Sequence, residues 1–355
     1  MFRGKLLSVL KAGLFGLWLG LVFSSCAGAP ETVAMAPRPE WVSLGPHERY
    51  GSQAYLTAVG RGNSRNAAEM AALGQLVSIF GQRIEVDQRV TESYREAMRS
   101  GATATWTHYT AVDTDIVIVA GMDTLIGAEI GDFWADGRGN NYALAVMNRD
   151  RATQIYSEMI RANQEIIHNL TNMSLAERNT FDGFSRYQLA AVIADMSISY
   201  GEVLSVIGAP QYARGLRRGD DFRRGAQEIA REIPISIYVN NDRAGRLHSA
   251  FAGAFSDMGF RTGGSNSRYV LDVNVVVQPT DHPGAQVVFS RMELSANLID
   301  VSTGSVLLPF SFQLREGHVT QSEAENRVFI VAERRIDAEY RDLLSDYLSQ
   351  LIPRR

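Results

Sequence analysis

The sequence predicts an α+β protein: two α/β sandwich-like domains, each laying helices on an antiparallel sheet, joined by a helical hairpin. A signal peptide and a flexible tether come before them. Three observations carry this reading. Apolar and polar residues alternate strictly through Met292–Leu298 and Leu308–Leu314, as in strands with one buried and one wet face. Apolar residues recur at steps of three and four in several longer runs, as in helices lying on a core. The first 25 residues join a basic start to an apolar run that ends just before a lone cysteine.

Residues 1–25 read as a secretory leader. Arg3, Lys5 and Lys11 lead into Ala12–Phe23, a run that is apolar apart from its glycines and short for a membrane-spanning helix. Cys26 is the only cysteine among 355 residues, which excludes an internal disulfide and any Cys/His metal site. The pattern is that of a bacterial lipobox: cleavage before Cys26, then acyl chains of the palmitate type on its sulfur and on the new amino group. Phe23 stands where such motifs usually carry Leu. Two or more acyl chains anchor a protein stably, whereas one is marginal. Residues 26–39 are the tether: after Cys26 come the thirteen residues "AGAPETVAMAPRP", an extended segment without a core, spanning at most about 45 Å at ~3.5 Å per residue. Both lysines lie in the leader. Removing Arg3, Lys5 and Lys11 with it leaves 32 Arg against 39 acidic residues, about −7, which disfavours nucleic acid as a partner.

Residues 40–149 form the first α/β domain. Tyr55–Val59 reads as a strand and Asn63–Phe80 as a helix, with Met70, Leu73, Val77 and Phe80 on one face. Ile84–Val90 alternates like a half-buried strand, and 91–123 is undecided between helix and strand. Leu125–Trp134 and Tyr142–Met147 read as a hairpin around the turn residues "ADGRGN". Residues 150–232 are the helical connection. Ala152, Ile155, Met159, Ala162, Ile166 and Leu170 form one stripe. Leu189, Ile193, Met196, Tyr200, Val203 and Ile207 form a second, stopped by Gly208-Ala209-Pro210. Ser174 and Glu177 make a capping box between them. "ARGLRRGDDFRRG", Ala213–Gly225, reads as a solvated linker surface, with anionic lipid headgroups or peptidoglycan acids as its functional alternative.

Residues 233–355 form the closing domain in the order β-α-β-β-β-α. Ile235–Val239 is its first strand, Asp242 caps a helix carrying Leu247, Phe251, Ala254 and Met258, and Gly259 ends it. Asp300–Gly304 turns between the second and third of the strands that follow. A last helix, opened by a Ser322/Glu325 box, carries Phe329, Ala332, Ile336, Tyr340, Leu343, Tyr347 and Leu351 inward.

No motif assigns catalysis. The six histidines make neither HxxxH nor HExxH, and no serine sits in a GxSxG elbow. Asp132, Asp136 and Asn140 flank a Gly-rich loop but lack EF-hand spacing. Glu129 and Asp132, three apart on one strand, belong on opposite faces about 10 Å apart. No catalytic residue, metal or cofactor is expected. The one candidate ligand site is Gly60, Gly62, Asn63 and Ser64, where a strand feeds a helix and backbone N–H groups could hold a small anion. A dinucleotide fingerprint needs a third glycine where Arg65 stands, and a P-loop needs a Lys. The simpler reading is a tight turn with Asn63 or Ser64 as helix cap.

"PEWV" at Pro39–Val42, then "YLTAVG", "NAAEMAALGQL", "LIGAEIGDFW" and "NYALAVMNR", in that order after a lipobox, resemble the Lpp-twenty-type bacterial outer-membrane lipoproteins over residues 39–149. The resemblance implies an α/β domain on a lipid-anchored, periplasm-facing envelope protein; related domains occur in flagellum-associated envelope proteins. It supplies no catalytic residues. The closing domain, through "YVLDVNV" and "LIDVSTGSV", is similar to small modules of periplasmic assembly lipoproteins, including peptidoglycan-synthase activators. The function expected is binding or scaffolding at the outer membrane, in flagellar or cell-wall assembly, with envelope proteins or peptidoglycan as partners. The alternative is a periplasmic small-ligand or nucleotide binder, or an enzyme, using the Gly60–Gly62 loop.

Overall fold

The computed structural model describes residues 37–43, 45–81, 125–264, 267–280 and 287–351, and Arg38–Arg355 form one compact unit. The leader, Cys26, most of the tether, the Ile84–Val90 strand and the 91–123 run lie outside the described residues. The architecture is α+β, with helices packed against two sheets, one antiparallel and one mixed.

The first sheet holds β1 (Tyr55–Gly62), β2 (Ala128–Ala135) and β3 (Asn141–Asn148) in the order β1-β3-β2, all antiparallel. The hairpin from β2 to β3 forms as its turn residues demand. Asp136 accepts from the backbone N–H of Arg138 and Asn140, at 2.8 and 3.0 Å, and Gly137 and Gly139 take positive φ. Helix α1 (Arg65–Gly81) covers one face and buries Ala68, Ala72, Leu73, Leu76, Val77 and Phe80. Met70, expected inside, is 43% exposed. The helix is rolled so that its alanines, not Met70, meet the strand. On the other face a short 3-10 turn, Glu40–Ser43, lays Trp41 and Val42 over Leu144 and Val146.

A bulge corrects one expectation. β2 slips register between Ile130 and Asp132, so Glu129 pairs with Val146 and Asp132 with Leu144. Val146 and Leu144 lie on the same face, so Glu129 and Asp132 do too, not on opposite faces.

The helical middle begins with α2 (Arg149–Thr171), capped by Asn148, whose side chain accepts from Arg151 N. The Ser174/Glu177 box forms, but its helix, α3 (Leu175–Arg178), lasts one turn. The chain restarts with Thr180 as cap of α4 (Phe181–Val206). Helices α2 and α4 run antiparallel, tied by a buried 3.0 Å hydrogen bond from Asn163 to Ser197. Helix α4 reaches both cores: Phe181 and Phe184 enter that of the second sheet, Val203 and Leu204 that of the first. The Arg-rich stretch read as linker is half helical. Helix α5 (Gly219–Glu232) starts inside it and buries Phe222, Ala226, Ile229 and Ala230 at steps of three and four.

The second sheet has the order β5-β4-β6-β7-β8, from β4 (Pro234–Asn240), β5 (Arg261–Thr262), β6 (Tyr269–Thr280), β7 (Val288–Asp300) and β8 (Ser305–His318). Its β6-β7-β8 part is antiparallel, with Met292, Leu294, Ala296 and Leu298 buried and Arg291, Glu293 and Ser295 exposed. β4 instead pairs parallel with β5 and β6, because helix α6 (Arg246–Asp257) crosses over between them. Asp242 caps α6 from upstream, accepting from Leu247 N and His248 N.

The closing helix departs twice from expectation. Thr320, not Ser322, is its cap, accepting from Glu323 N, while Glu325 pairs with Arg243. It runs as α7 (Gln321–Arg335), a π turn at Ile336–Tyr340, and α8 (Arg341–Gln350). The π turn advances the phase, so Leu344 and Leu348 are buried below Tyr340, and Leu343, Tyr347 and Leu351 are only partly so.

Candidate functional site

Gly60 and Gly62 are not in a turn. They end β1, opposite Ala143 and Asn141. A Cβ on Gly60 would stand 2.0 Å from Ala72 N and 2.4 Å from Ala68 O, and one on Gly62 2.5 Å from Ala68 N. Contact between helix and strand therefore requires both glycines. Ser64 caps α1, its hydroxyl accepting from Ala67 N at 3.2 Å, and Asn63 is exposed beside it. The same residue order that resembles a phosphate loop thus serves close packing here.

A more developed constellation lies where α3 and the start of α4 meet the ends of β6 and β7 and the face of α8. Glu177, Phe181, Arg268, Tyr269, Asp300 and Tyr347 line a cleft of about 430 Å³ there. Asp300 ends β7, and its carboxylate receives Arg268 Nε and Nη2 at 3.0 and 2.7 Å and Ser302 N and Oγ at 2.9 and 2.6 Å. The side chain is 7% exposed. Burial alone would raise its pKa, but the hydrogen bonds from Arg268 and Ser302 outweigh burial and hold it below the ordinary carboxylate value. Next to Arg268, Tyr269 stacks on Phe181 with centroids 3.9 Å apart, and its hydroxyl accepts from Phe181 N. Burial raises the Tyr269 phenol and pushes Tyr347 up to about 12, with Tyr269 and Asp300 adding to the Tyr347 shift. Both phenols therefore keep their protons at neutral pH and can offer hydrogen bonds rather than act as bases. The cleft combines aromatic side chains with a fixed ion pair. Such an arrangement suits recognition.

The sequence reading placed Asp300 in a turn and overlooked Arg268. The available signal was Asp300 followed by Ser302 and Thr303, an acceptor whose own turn supplies donors. A second pairing was also missed. His47 Nδ1 accepts from Arg49 N, so Nε2 carries the proton shared with Asp132 at 3.0 Å. Among the described residues no group of three or more His, Cys, Asp or Glu is placed to hold a metal ion.

No protein-family model and no curated protein matches the chain. Among solved structures it is similar to a secreted protein of Helicobacter pylori, at 13% identity over 80% of this chain and 98% of that one, with a TM-score of 0.41. It is similar to a minor lipoprotein of Acinetobacter baumannii at 15% identity, over 34% of this chain and 91% of that one, with a TM-score of 0.24. It is also similar to PelC from Paraburkholderia phytofirmans, seen as a dodecamer, at 21% identity over 35% and 88% of the two chains and a TM-score of 0.21. These are weak and partial likenesses, several of them to proteins named as bacterial lipoproteins. At such identities and scores, the functional reading rests on this chain's own residues.

Proposed function

We propose that this is a lipid-anchored lipoprotein of the bacterial outer membrane, facing the periplasm, that acts by binding or scaffolding in flagellar or cell-wall assembly. The observation that carries the reading is the layout of the chain's start: basic residues, an apolar run, small residues, the lone Cys26 and an Ala/Pro tether, all ahead of one compact unit. The Arg268–Asp300 cleft is the binding surface we assign to it. Mass spectrometry of protein purified from membranes tests the anchor: the expected N-terminus is an acylated Cys26. An unmodified thiol, or an N-terminus elsewhere, overturns it. Crosslinking in intact cells tests the role. Capture of envelope proteins or peptidoglycan fragments is expected, reduced by Arg268→Ala; capture of cytosolic proteins alone contradicts the proposal.

A further inference from the structure

The stretch Tyr212–Arg218 is built as a surface with two different sides. A 3-10 turn, Pro210–Ala213, follows the end of α4. Ala213 and Leu216 turn inward and pack against the first sheet's core. They meet α4 at Gly201, where a Cβ would stand 2.8 Å from Ala213 Cβ and 3.5 Å from Leu216 Cδ1. The outward side carries Tyr212, 52% exposed, and the exposed Arg214, Arg217 and Arg218. Arg217 is held over the buried Phe222 ring at 4.1 Å. The nearby acids are already engaged: Asp195 and Asp220 with Arg223, Asp221 with Arg224. Among the described residues, no ion pair takes up Arg214, Arg217 or Arg218. Three cations and an aromatic ring thus stand on a pinned loop of a chain whose mature charge is about −7.

We infer that this loop docks on the anionic phospholipid surface of a membrane, with Arg214, Arg217 and Arg218 on the headgroup phosphates and Tyr212 at the interface. The inference rests on the envelope reading above, since an anchor is what holds the chain beside a bilayer. A net negative protein is repelled by an anionic surface everywhere except at a positive patch, so the patch also sets which side faces the lipid. An aromatic ring with a polar tip suits the headgroup level. The guanidinium groups suit phosphate oxygens.

The test uses the unacylated chain from Ala27, which keeps the whole compact unit and has no lipid of its own. It is sedimented with vesicles of phosphatidylcholine alone or in equal parts with phosphatidylglycerol. Binding to the mixed vesicles only, weakened by added salt, is expected. Replacing Arg214, Arg217 and Arg218 together by Gln should weaken it roughly 100-fold, at about fivefold per cation. Tyr212→Ser should weaken it further. A control replacing Arg261, Arg327 and Arg334 by Gln makes the same change in net charge on other surfaces and should bind like the parent. Equal binding to both vesicle types, binding to neither, or equal weakening by the control overturns the proposal. The assay does not depend on Cys26, so it fails separately from the anchor reading.

Discussion

Two side-chain positions decide much at the scale of single residues. Gly60 touches backbone atoms of α1 that cannot step aside. Gly60→Ala should therefore cost about 3 kcal/mol or more, read by denaturant unfolding, the upper end of overpacking. Because packing explains these glycines, titration calorimetry with ATP, GTP or NAD should show no binding, and micromolar binding lost on Gly62→Val would contradict this account. Asp300 has a depressed pKa, so the stability it adds is fully present above the unfolded value near 4 and is lost as pH falls through the folded value. Asp300→Asn should cost about 2 kcal/mol at pH 7, where it removes charge-assisted hydrogen bonds. The gap to the parent should stay level down to about pH 5 and close below about pH 4. A gap that widens on acidification would show that Arg268 and Ser302 do not stabilise the charged form.

At the scale of elements, the closing helix offers the sharpest comparison. Thr320→Ala should cost about 1 kcal/mol as a lost cap, and Ser322→Ala close to nothing. Leu344→Ala should cost about 2–5 kcal/mol, and Leu343→Ala clearly less, because the π turn puts Leu344 inside. The strands of the second sheet were legible because alternation has a fixed period of two: Met292–Leu298 and Leu308–Phe312 face as expected. The helix beneath them was legible as a helix but not in phase, since a π turn leaves no mark in a pattern of threes and fours. The bulge at Gly131, where Tyr50 packs within 2.7 Å of a would-be Cβ, likewise moved Asp132 across the sheet unseen. The cleft was the least legible part. Phe181, Arg268, Asp300 and Tyr347 come from α4, the loop before β6, β7 and α8, and only the tertiary fold brings them together. Helix α5 was hidden by its arginines, although Phe222, Ala226 and Ile229 already kept helical spacing.

At the scale of the whole molecule, the core of the second sheet includes residues outside 233–355. Phe181 and Phe184 of α4, and Ala226, Ile229 and Ala230 of α5, belong to it. A fragment starting at Pro234 should therefore melt well below one starting at Gly219, and a cooperative transition at the same temperature for both would show that α5 is dispensable to that core. Helix α4 ties the two sheets together, and its composition has a further consequence. An 18-residue window of it has a mean hydropathy of 1.4, long and apolar enough by itself to cross a bilayer. Every such window contains Asp195, which in the fold accepts from Gly219 N and pairs with Arg223. On the export route proposed above, the unfolded chain presents this segment to the secretion channel before any partner exists for it. A carboxylate near the middle of such a segment disfavours its sideways release into lipid by about 2.5–3.5 kcal/mol. Under the lipoprotein reading proposed above, Asp195→Leu should thus strand part of the chain in the inner membrane, read by separating inner from outer membranes on a density gradient.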